Sequence, residues 1–190
     1  MTKDFNIQIK KVGNILYIKD NGLPLYIIPE CMFETKGIHD LPNNKSMTLS
    51  LNKTKKEHKD FINIINEIYN KCSEHIESDN DFNPDIIMNP LIKINDIIYN
   101  LHLFVTSWNG NDQAIFYDDN NDLINLKDLE DKTFSIYPAI NVDRVSLNKS
   151  KDKAYINILL KEGFISNIKN KRLLDFEKYK TYINKNKSLN

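Results

Sequence analysis

Hydrophobic and polar residues alternate along the first part of the chain in a pattern that predicts paired β-strands. Residues 5–19 read as extended, and the segments ILYIK and LPLYII lie on either side of Asn21-Gly22. An Asn-Gly pair tolerates the positive φ that a tight hairpin turn requires. Pro29 ends the second strand, and residues 30–45 are rich in Gly, Pro and Asn, so they predict a surface loop.

The period of the pattern changes after the next strand. In the segment SMTLSL, residues 46–51, apolar and polar side chains alternate, which predicts a strand with one buried and one wet face. From Phe61 to Ile76 the apolar residues recur every three or four positions. This spacing predicts an amphipathic helix over residues 57–77.

Beyond the helix the alternation of strands returns. Residues 91–106, 134–142 and 153–160 alternate, and AIFY with a second short strand flanks the turn DDNND. Short strands at turn-spaced intervals with one helix predict a mainly β (α+β) fold. An OB-fold-like antiparallel barrel with an inserted helix fits this order, and an open α+β sandwich is the alternative.

The sequence predicts a single OB-fold-like domain over residues 1–167 and a basic C-terminal tail over residues 168–190. Formal net charge is zero, but the charges are unevenly distributed. From Arg144 onward, twelve Lys and Arg residues stand against four Asp and Glu, whereas residues 112–131 are mostly acidic. A basic C-terminal third favours polyanions as partners, although a solvated face gives the same pattern.

The sequence lacks the motifs that mark several classes of enzyme and cofactor-binding protein. The sequence contains no GxxxxGK[ST], GxGxxG, HExxH or GxSxG motif, and its two cysteines and four histidines have no metal-ligand spacing. We therefore expect no cofactor and no enzymatic activity. No apolar run approaches 18 residues and the N-terminus does not resemble a signal peptide, so we expect an intracellular protein without a membrane span.

Aromatic and basic residues share the predicted strands, which suggests binding to single-stranded nucleic acid. An aromatic face stacks on any base for about 1 to 3 kcal/mol, and a cationic groove follows the phosphates. Lysine suits sequence-independent phosphate contact, whereas arginine favours base recognition and occurs only twice. The candidate nucleic-acid-binding residues are Tyr17, Lys19, Tyr26, Phe33, Lys53, Lys55, Lys56, Trp108, Arg144, Lys149, Lys151, Lys153 and Tyr155.

The aromatic candidates differ in strength, because aromatic residues of β-rich proteins are core residues more often than stacking platforms. Tyr155 alternates with Ala154 and Ile156, so it lies on the wetter side of its strand and is the best platform candidate. Trp108 has polar neighbours beside a Gly-containing turn, which favours exposure. Tyr26 shares a face with an isoleucine and fits the core equally well.

The order of segments resembles that of the single-stranded DNA-binding proteins of large nucleocytoplasmic DNA viruses. The resemblance starts at "LYIKDNGLPLYIIPECMFETKGI", where Pro29 and Gly37 match the proline and the glycine of the family's loop, and continues through SMTLSL and EHKDFINIINEIYNKC. The segments "YNLHLFVTSWNGNDQAIFYDDNNDLINL" and "YPAINVDRVSLNKSKDKAYINILLKEGFI" resemble its later strands, so the likeness spans most of residues 15–165. It implies an OB-fold protein without cofactor that coats exposed strands in viral DNA replication, repair or recombination.

Two features depart from the family's pattern. The tip between the last two strands carries Arg144 and Val145 where a tryptophan is familiar. The tail is basic, whereas many strand-coating proteins recruit replication partners through an acidic tail. Recruitment by that route is therefore not expected, and the basic tail would instead add phosphate contacts.

Three hypotheses about function follow. The first is a sequence-tolerant single-stranded DNA-binding protein, in the host cytoplasm or at a viral replication site if the source is viral; RNA binding and self-association stay open. The second is a protein–protein interaction module that pairs through exposed strand edges. The third is a metal-dependent nuclease, for which Asp118, Asp119 and Asp122 would be the first carboxylates to test.

Overall fold

The computed structural model describes residues 5–13, 15–40, 45–79, 84–108, 111–130 and 132–170. Strands dominate these residues, and one long helix, α1 (Lys56–Ser78), interrupts them. The strands are β1 (Ile7–Val12), β2 (Ile15–Asp20), β3 (Leu23–Ile27), β4 (Phe33–Asp40), β5 (Lys45–Asn52), β6 (Ile86–Met88), β7 (Leu91–Lys93), β8 (Ile98–Val105), β9 (Ser107–Trp108), β10 (Asn111–Asp112), β11 (Ile115–Tyr117), β12 (Leu123–Ile124), β13 (Lys132–Leu147) and β14 (Lys153–Asn170).

Five strands close into a barrel. Antiparallel pairing joins β13 to β4, β4 to β5 and β5 to β8, β8 pairs parallel with β14, and β14 returns antiparallel to β13. This is the five-stranded arrangement of an OB-fold-like barrel, which confirms the predicted mainly β fold with one helix. Apolar residues from every barrel strand meet inside it, among them Phe33, Leu49, Leu103, Val142 and Ile158.

The N-terminal strands extend the barrel sheet on one side. β1 pairs with β2, β2 pairs with β3, and both β2 and β3 pair with β13. The predicted turn between β2 and β3 is confirmed, since Asn21 and Gly22 have φ of 50° and 80°. On the other side of the barrel β6 and β11 pair with β14, and β12 pairs with β11. The outer face is therefore much wider than a bare five-stranded barrel provides.

Helix α1 extends the predicted helix by one residue at each end. Its apolar face is buried in the core, as the sequence spacing predicted. The backbone N–H of Asn52 donates to Nδ1 of His58 at 2.9 Å, which ties the start of the helix to the end of β5. Among the residues that the structure describes, no helix is both long and apolar enough to cross a membrane.

One prediction of local structure is wrong. Residues 30–45 were expected to form a surface loop, but half of them form β4, a barrel strand that buries Phe33 and Thr35. Gly37, with φ of 89°, lies at a bulge in this strand, so the glycine that suggested a loop marks an irregular strand instead. Residues 91–106, which alternate in the sequence, contain two strands, β7 and β8, which pair as a hairpin.

The last two barrel strands are longer than the alternation indicated. β13 covers Lys132–Leu147 and β14 covers Lys153–Asn170, so β14 passes the predicted domain end at residue 167. Register shifts interrupt their pairing at three places, and each shift disturbs the strict alternation that sequence reading relies on. Of the predicted tail over residues 168–190, the part from residue 171 onward lies outside the described residues.

Candidate nucleic-acid interface

The turn between β13 and β14 is held by its own side chains. Nδ2 of Asn148 donates to Oδ1 of Asp152 at 2.6 Å. The hydroxyl of Ser150 donates to the same oxygen, and these two hydrogen bonds lower the pKa of Asp152, the one from Ser150 more strongly. The exposed Lys149 and Lys151 therefore extend from a fixed turn.

A row of polar and aromatic residues crosses four neighbouring strands on the outer face. Arg144 on β13 lies opposite Tyr17 on β2 and Asn157 on β14, and Tyr17 lies opposite Lys10 on β1. Residues directly opposite each other in a sheet share a face, and strands are about 4.8 Å apart, so the row is roughly 15 Å long. Val145, next to Arg144, is fully buried, which establishes that the row faces outward.

The ring of Tyr17 is the centre of this row. Nζ of Lys19 and the guanidinium carbon of Arg144 each lie 5.6 Å from its centroid. Both distances fall within the range of cation–π attraction, so two positive charges are held beside one half-buried ring. Nε of Arg144 also donates to Oδ2 of Asp143 at 2.5 Å, which fixes the orientation of the guanidinium group.

Tyr155 continues the same outer face towards the hairpin tip. It is 40% exposed, which confirms its predicted place on the wetter side of β14. It lies opposite Ser146 on β13 and opposite Met88 on β6. Lys153 precedes it by two positions on the same face, so an exposed ring and a cation are again neighbours.

We call this region the basic–aromatic surface and define it by eight residues: Lys10, Tyr17, Lys19, Arg144, Lys149, Lys151, Lys153 and Tyr155. Within the described part of the chain, Lys10, Lys19 and Lys153 make no ion pair. Their charges are therefore available to an incoming polyanion. Sequence reasoning missed Lys10; its alternation with Ile9 indicates exposure, but only the strand register brings it to Tyr17.

Two further aromatic candidates lie on strands: Tyr26 is exposed, whereas Phe33 is buried. Tyr26 is 51% exposed on β3 and lies opposite Asn141, so it borders the basic–aromatic surface. Phe33 is wrong as a binding residue because its side chain is fully buried. Its ring packs 4.7 Å from that of His58 and 5.1 Å from that of Phe61, inside the barrel, since the segment forms a strand and not the expected loop.

The remaining candidates are not brought to this surface by any described strand pairing. Lys53, Lys55 and Lys56 are exposed where the chain leaves β5 and enters α1, and the backbone N–H of Lys53 donates to the carbonyl of Ile97. Trp108 pairs with Asn111 through the backbone of β9 and β10, and its side chain lies outside what the structure describes.

The outer face of β5 and β8 contains residues that sequence reasoning did not select. OB-fold barrels bind oligonucleotides on the face of their second and third strands, and β5 and β8 hold those places here. Nδ1 of His102 lies 2.8 Å from Oγ1 of Thr48, and Phe104 lies opposite Leu159 of β14. Partial burial, followed by the nearby His39 and Lys36, lowers the pKa of His102, so His102 itself adds little positive charge to this face at neutral pH.

The acidic turn has a structural explanation. The carboxylate of Asp118 accepts hydrogen bonds from the backbone N–H groups of Asn120 at 2.8 Å and Asp122 at 3.0 Å, closing the predicted β11–β12 turn. Within the described ranges, no three His, Cys, Asp or Glu side chains group closely enough to hold a metal ion. Burial raises the pKa of the free thiols of Cys31 and Cys72 to about 11 and about 12, so neither favours the reactive thiolate.

Comparison with known proteins finds similarity at the level of structure. No family model and no curated protein matches the sequence. The fold is similar to that of gp2.5, a single-stranded DNA binding protein encoded by bacteriophage T7, with a TM-score of 0.51 and 9% identity over 80% of this chain and 91% of that one. The single-stranded DNA-binding protein from bacteriophage Enc34 gives a TM-score of 0.48 and 12% identity over 88% of this chain and 94% of that chain.

The same Enc34 protein in complex with single-stranded DNA gives a TM-score of 0.47 and 11% identity over 83% of this chain and 93% of that chain. At these identities the similarity to gp2.5 establishes a shared fold. These structural similarities do not support the predicted resemblance to the proteins of large nucleocytoplasmic DNA viruses.

Proposed function

We propose that this protein binds single-stranded DNA with little dependence on base sequence. The observation that carries the proposal is the basic–aromatic surface, where Tyr17 and Tyr155 lie among cations on one outer face. Stacking on an aromatic ring contributes about 1 to 3 kcal/mol for each base, and the surrounding lysines attract the phosphates. The proposal also agrees with the fold, since gp2.5 is a single-stranded DNA binding protein of similar architecture.

Sequence tolerance follows from the kind of cation on this surface. Its charges are lysines except for Arg144, whose Nε is already engaged by Asp143. Bidentate recognition of a guanine favours a guanidinium group, of which this surface has one, and lysines contact phosphates as point charges. Neutral net charge does not oppose binding, because the basic–aromatic surface brings five lysines together on one outer face.

We extend the proposal to a non-enzymatic role in coating exposed strands during DNA replication. Roles in repair and recombination and origin from a large nucleocytoplasmic DNA virus stay predictions from the sequence resemblance, and an intracellular location and self-association stay predictions from the sequence. The domain over residues 1–167 and the basic tail over residues 168–190 also stay predictions, and β14 continues to Asn170.

Fluorescence anisotropy tests the proposal. A labelled oligothymidine of about 30 nucleotides is titrated at about 50 and about 200 mM salt, with duplex DNA and oligouridine of equal length as comparators. We expect tight binding to the single strand that weakens steeply with salt and spares duplex. The double variant Tyr155→Ala, Lys153→Ala should bind at least about tenfold more weakly, since it loses one stacking ring and one cation.

A matched control is Phe164→Ala, which removes an exposed ring from the same strand outside the basic–aromatic surface. It should bind within about twofold of the unchanged protein. Absence of binding at low salt would remove the proposal and favour the interaction-module hypothesis. Equal loss in both variants would remove the assigned surface while keeping the activity.

A further inference from the structure

A second exposed aromatic region lies at the far end of β14. Phe164 on β14 is opposite Tyr137 on β13 and Tyr117 on β11, and Tyr117 is opposite Leu123 on β12. The rings of Tyr117 and Phe164 stack with centroids 5.4 Å apart and an interplanar angle of 29°. Phe164 is 47% and Leu123 73% exposed, so this row is not covered by any described part of the chain.

Neighbouring residues enlarge the row into a surface. Ile115 is exposed on β11 opposite Glu162, and Sδ of Met32 accepts a hydrogen bond from Oγ of Ser166 at 3.7 Å. A contiguous apolar patch on a protein of this size marks a site of interaction more often than isolated exposed residues do. We call it the acidic–aromatic surface and define it by Met32, Ile115, Tyr117, Leu123, Tyr137, Glu162 and Phe164.

The residues that define this surface and the adjoining turn between β11 and β12 carry only negative charges, which distinguishes it from the basic–aromatic surface. Glu162 lies within it, and the turn with Asp118, Asp119 and Asp122 borders Tyr117. Glu30 lies close enough to Tyr137 for its charge to contribute, after burial and Cys31, to raising the pKa of that phenol. These carboxylates repel phosphates and favour a partner that combines lysines with apolar side chains.

The chain itself supplies a segment with that chemistry. Residues 171–190 contain six Lys and Arg against two Asp and Glu, together with leucine, phenylalanine, tyrosine and isoleucine side chains. The segment leaves β14 at Asn170, six positions beyond Phe164 and therefore about 20 Å from it along the strand. Twenty residues can extend to about 65 Å, so the segment can reach every part of the surface.

We infer that residues 171–190 dock on the acidic–aromatic surface of their own chain. Connection through Asn170 gives the segment an effective concentration in the millimolar range, so a contact with an intrinsic Kd of about 0.1 mM stays closed about nine-tenths of the time. The lysines of the tail are then held by protein carboxylates and are withdrawn from DNA. The inference does not depend on the proposed function, because no DNA takes part in the contact.

Limited trypsin digestion of the full-length protein without DNA tests the inference. Cleavage after Lys178 and Lys180 is followed by mass spectrometry, with a synthetic peptide of residues 171–190 as the undocked reference. Cleavage in the rapid-closing limit tracks the open population, so docking should slow it about tenfold relative to the peptide. The variants Leu123→Ser and Glu162→Lys should each restore most of the rate, because both residues are exposed and their replacement does not disturb the core.

Tyr155→Ser is the matched control, since it removes an exposed ring from the basic–aromatic surface and should leave the tail protected. Protection that does not change over about a hundredfold dilution supports docking within one chain. Protection lost on dilution would overturn it in favour of a second copy. Cleavage as fast as in the peptide, or protection only after oligothymidine is added, would also overturn it, the latter in favour of tail–phosphate contacts.

Discussion

The two ends of β14 present exposed aromatic rings on one outer face, yet their surroundings differ in charge. Around Tyr155 the neighbouring strands and turn contribute Lys153, Lys149 and Arg144. Around Phe164 they contribute Glu162 and the Asp-containing turn between β11 and β12. The zero formal net charge of the protein therefore does not mean that its surface has the same charge everywhere.

This difference shows why an exposed aromatic residue alone does not identify a nucleic-acid interface. A ring offers the same π face at either end, and stacking would stabilise a base at both. The phosphate that accompanies each base is attracted at one end and repelled at the other. The residues placed beside a ring by strand register therefore decide which kind of partner it suits.

The largest expected effect comes from removing both rings of the basic–aromatic surface. Tyr17→Ala with Tyr155→Ala should weaken binding to oligothymidine by about 2 to 6 kcal/mol, at least thirtyfold, because two stacking platforms are lost. The matched pair Tyr117→Ala with Phe164→Ala removes two rings that stack on each other at the other end and should change the Kd less than about threefold. Anisotropy titration measures both, and similar losses would end the distinction between the two surfaces.

A smaller effect is expected on stability when the core beneath the Phe164 end is overfilled. Gly163 is buried between Phe116 and Pro138, and a Cβ there would lie 2.9 Å from Cγ1 of Ile136. Gly163→Ala should lower the free energy of unfolding by about 1 to 3 kcal/mol. Urea unfolding measures this, and Ser166→Ala on the outer face should cost less than about 0.5 kcal/mol. The folded Gly163→Ala variant should keep its affinity for oligothymidine. Loss of that affinity would mean that a change at the Phe164 end of β14 affects the DNA-binding surface at its Tyr155 end.

The sequence predicted those parts of the fold that have local signals. Helix α1, the turn at Asn21-Gly22 and the alternation of β5 need only a few neighbouring residues to be recognised. Strand β4 was missed because Gly37 and a bulge break its alternation, and its burial depends on pairing with the distant β13. Barrel closure is a long-range property, which no single segment encodes.

The candidate site could be predicted in part for the same reason. Alternation alone indicated that Tyr155 faces water. The meeting of Lys10, Tyr17 and Arg144 depends on the register of β1 and β2 and on the pairing of β2 with β13, which is far away in sequence. In a sequence, every lysine is a candidate for contact with phosphate. Lys53, Lys55 and Lys56 are exposed, yet no described strand pairing brings them to the basic–aromatic surface.

A smaller effect is expected when lysines of the basic–aromatic surface are neutralised. The salt dependence of DNA binding measures this effect and tests whether the two surfaces differ in their contact with phosphate. Each phosphate contact on a single strand contributes about 0.7 to the slope of log K against log salt. Lys19→Gln with Lys153→Gln should therefore lower that slope by about 1.4. The control Lys93→Gln removes an exposed lysine that pairs with Asp96 on a separate hairpin, and it should leave the slope unchanged. Equal slopes in all three proteins would mean that the lysines of the basic–aromatic surface do not touch phosphates.

The smallest expected effect is a pH dependence that separates stability from binding. Nδ1 of the buried His58 accepts the N–H of Asn52, and burial, followed by nearby Lys55, lowers the pKa of His58 below its usual 6.5. As pH falls, His58 therefore binds a proton in the unfolded chain at a higher pH than in the folded protein. The contribution of His58 to the free energy of unfolding is fully present above about pH 6.5 and decreases as pH falls below that value. Urea unfolding at about pH 7 and about pH 5.5 should show the decline, and His58→Gln, which keeps an acceptor but does not titrate, should reduce it.

Binding to oligothymidine should stay constant over the same pH range, because the residues that define the basic–aromatic surface include no histidine. The outer face of β5 and β8 provides the contrast, since His102 is exposed there beside Thr48. Its lowered pKa keeps it neutral near pH 7, and protonation at lower pH adds a positive charge to that face. Binding that strengthens on acidification, and stops doing so in His102→Gln, would extend the interface from β13 and β14 onto β8.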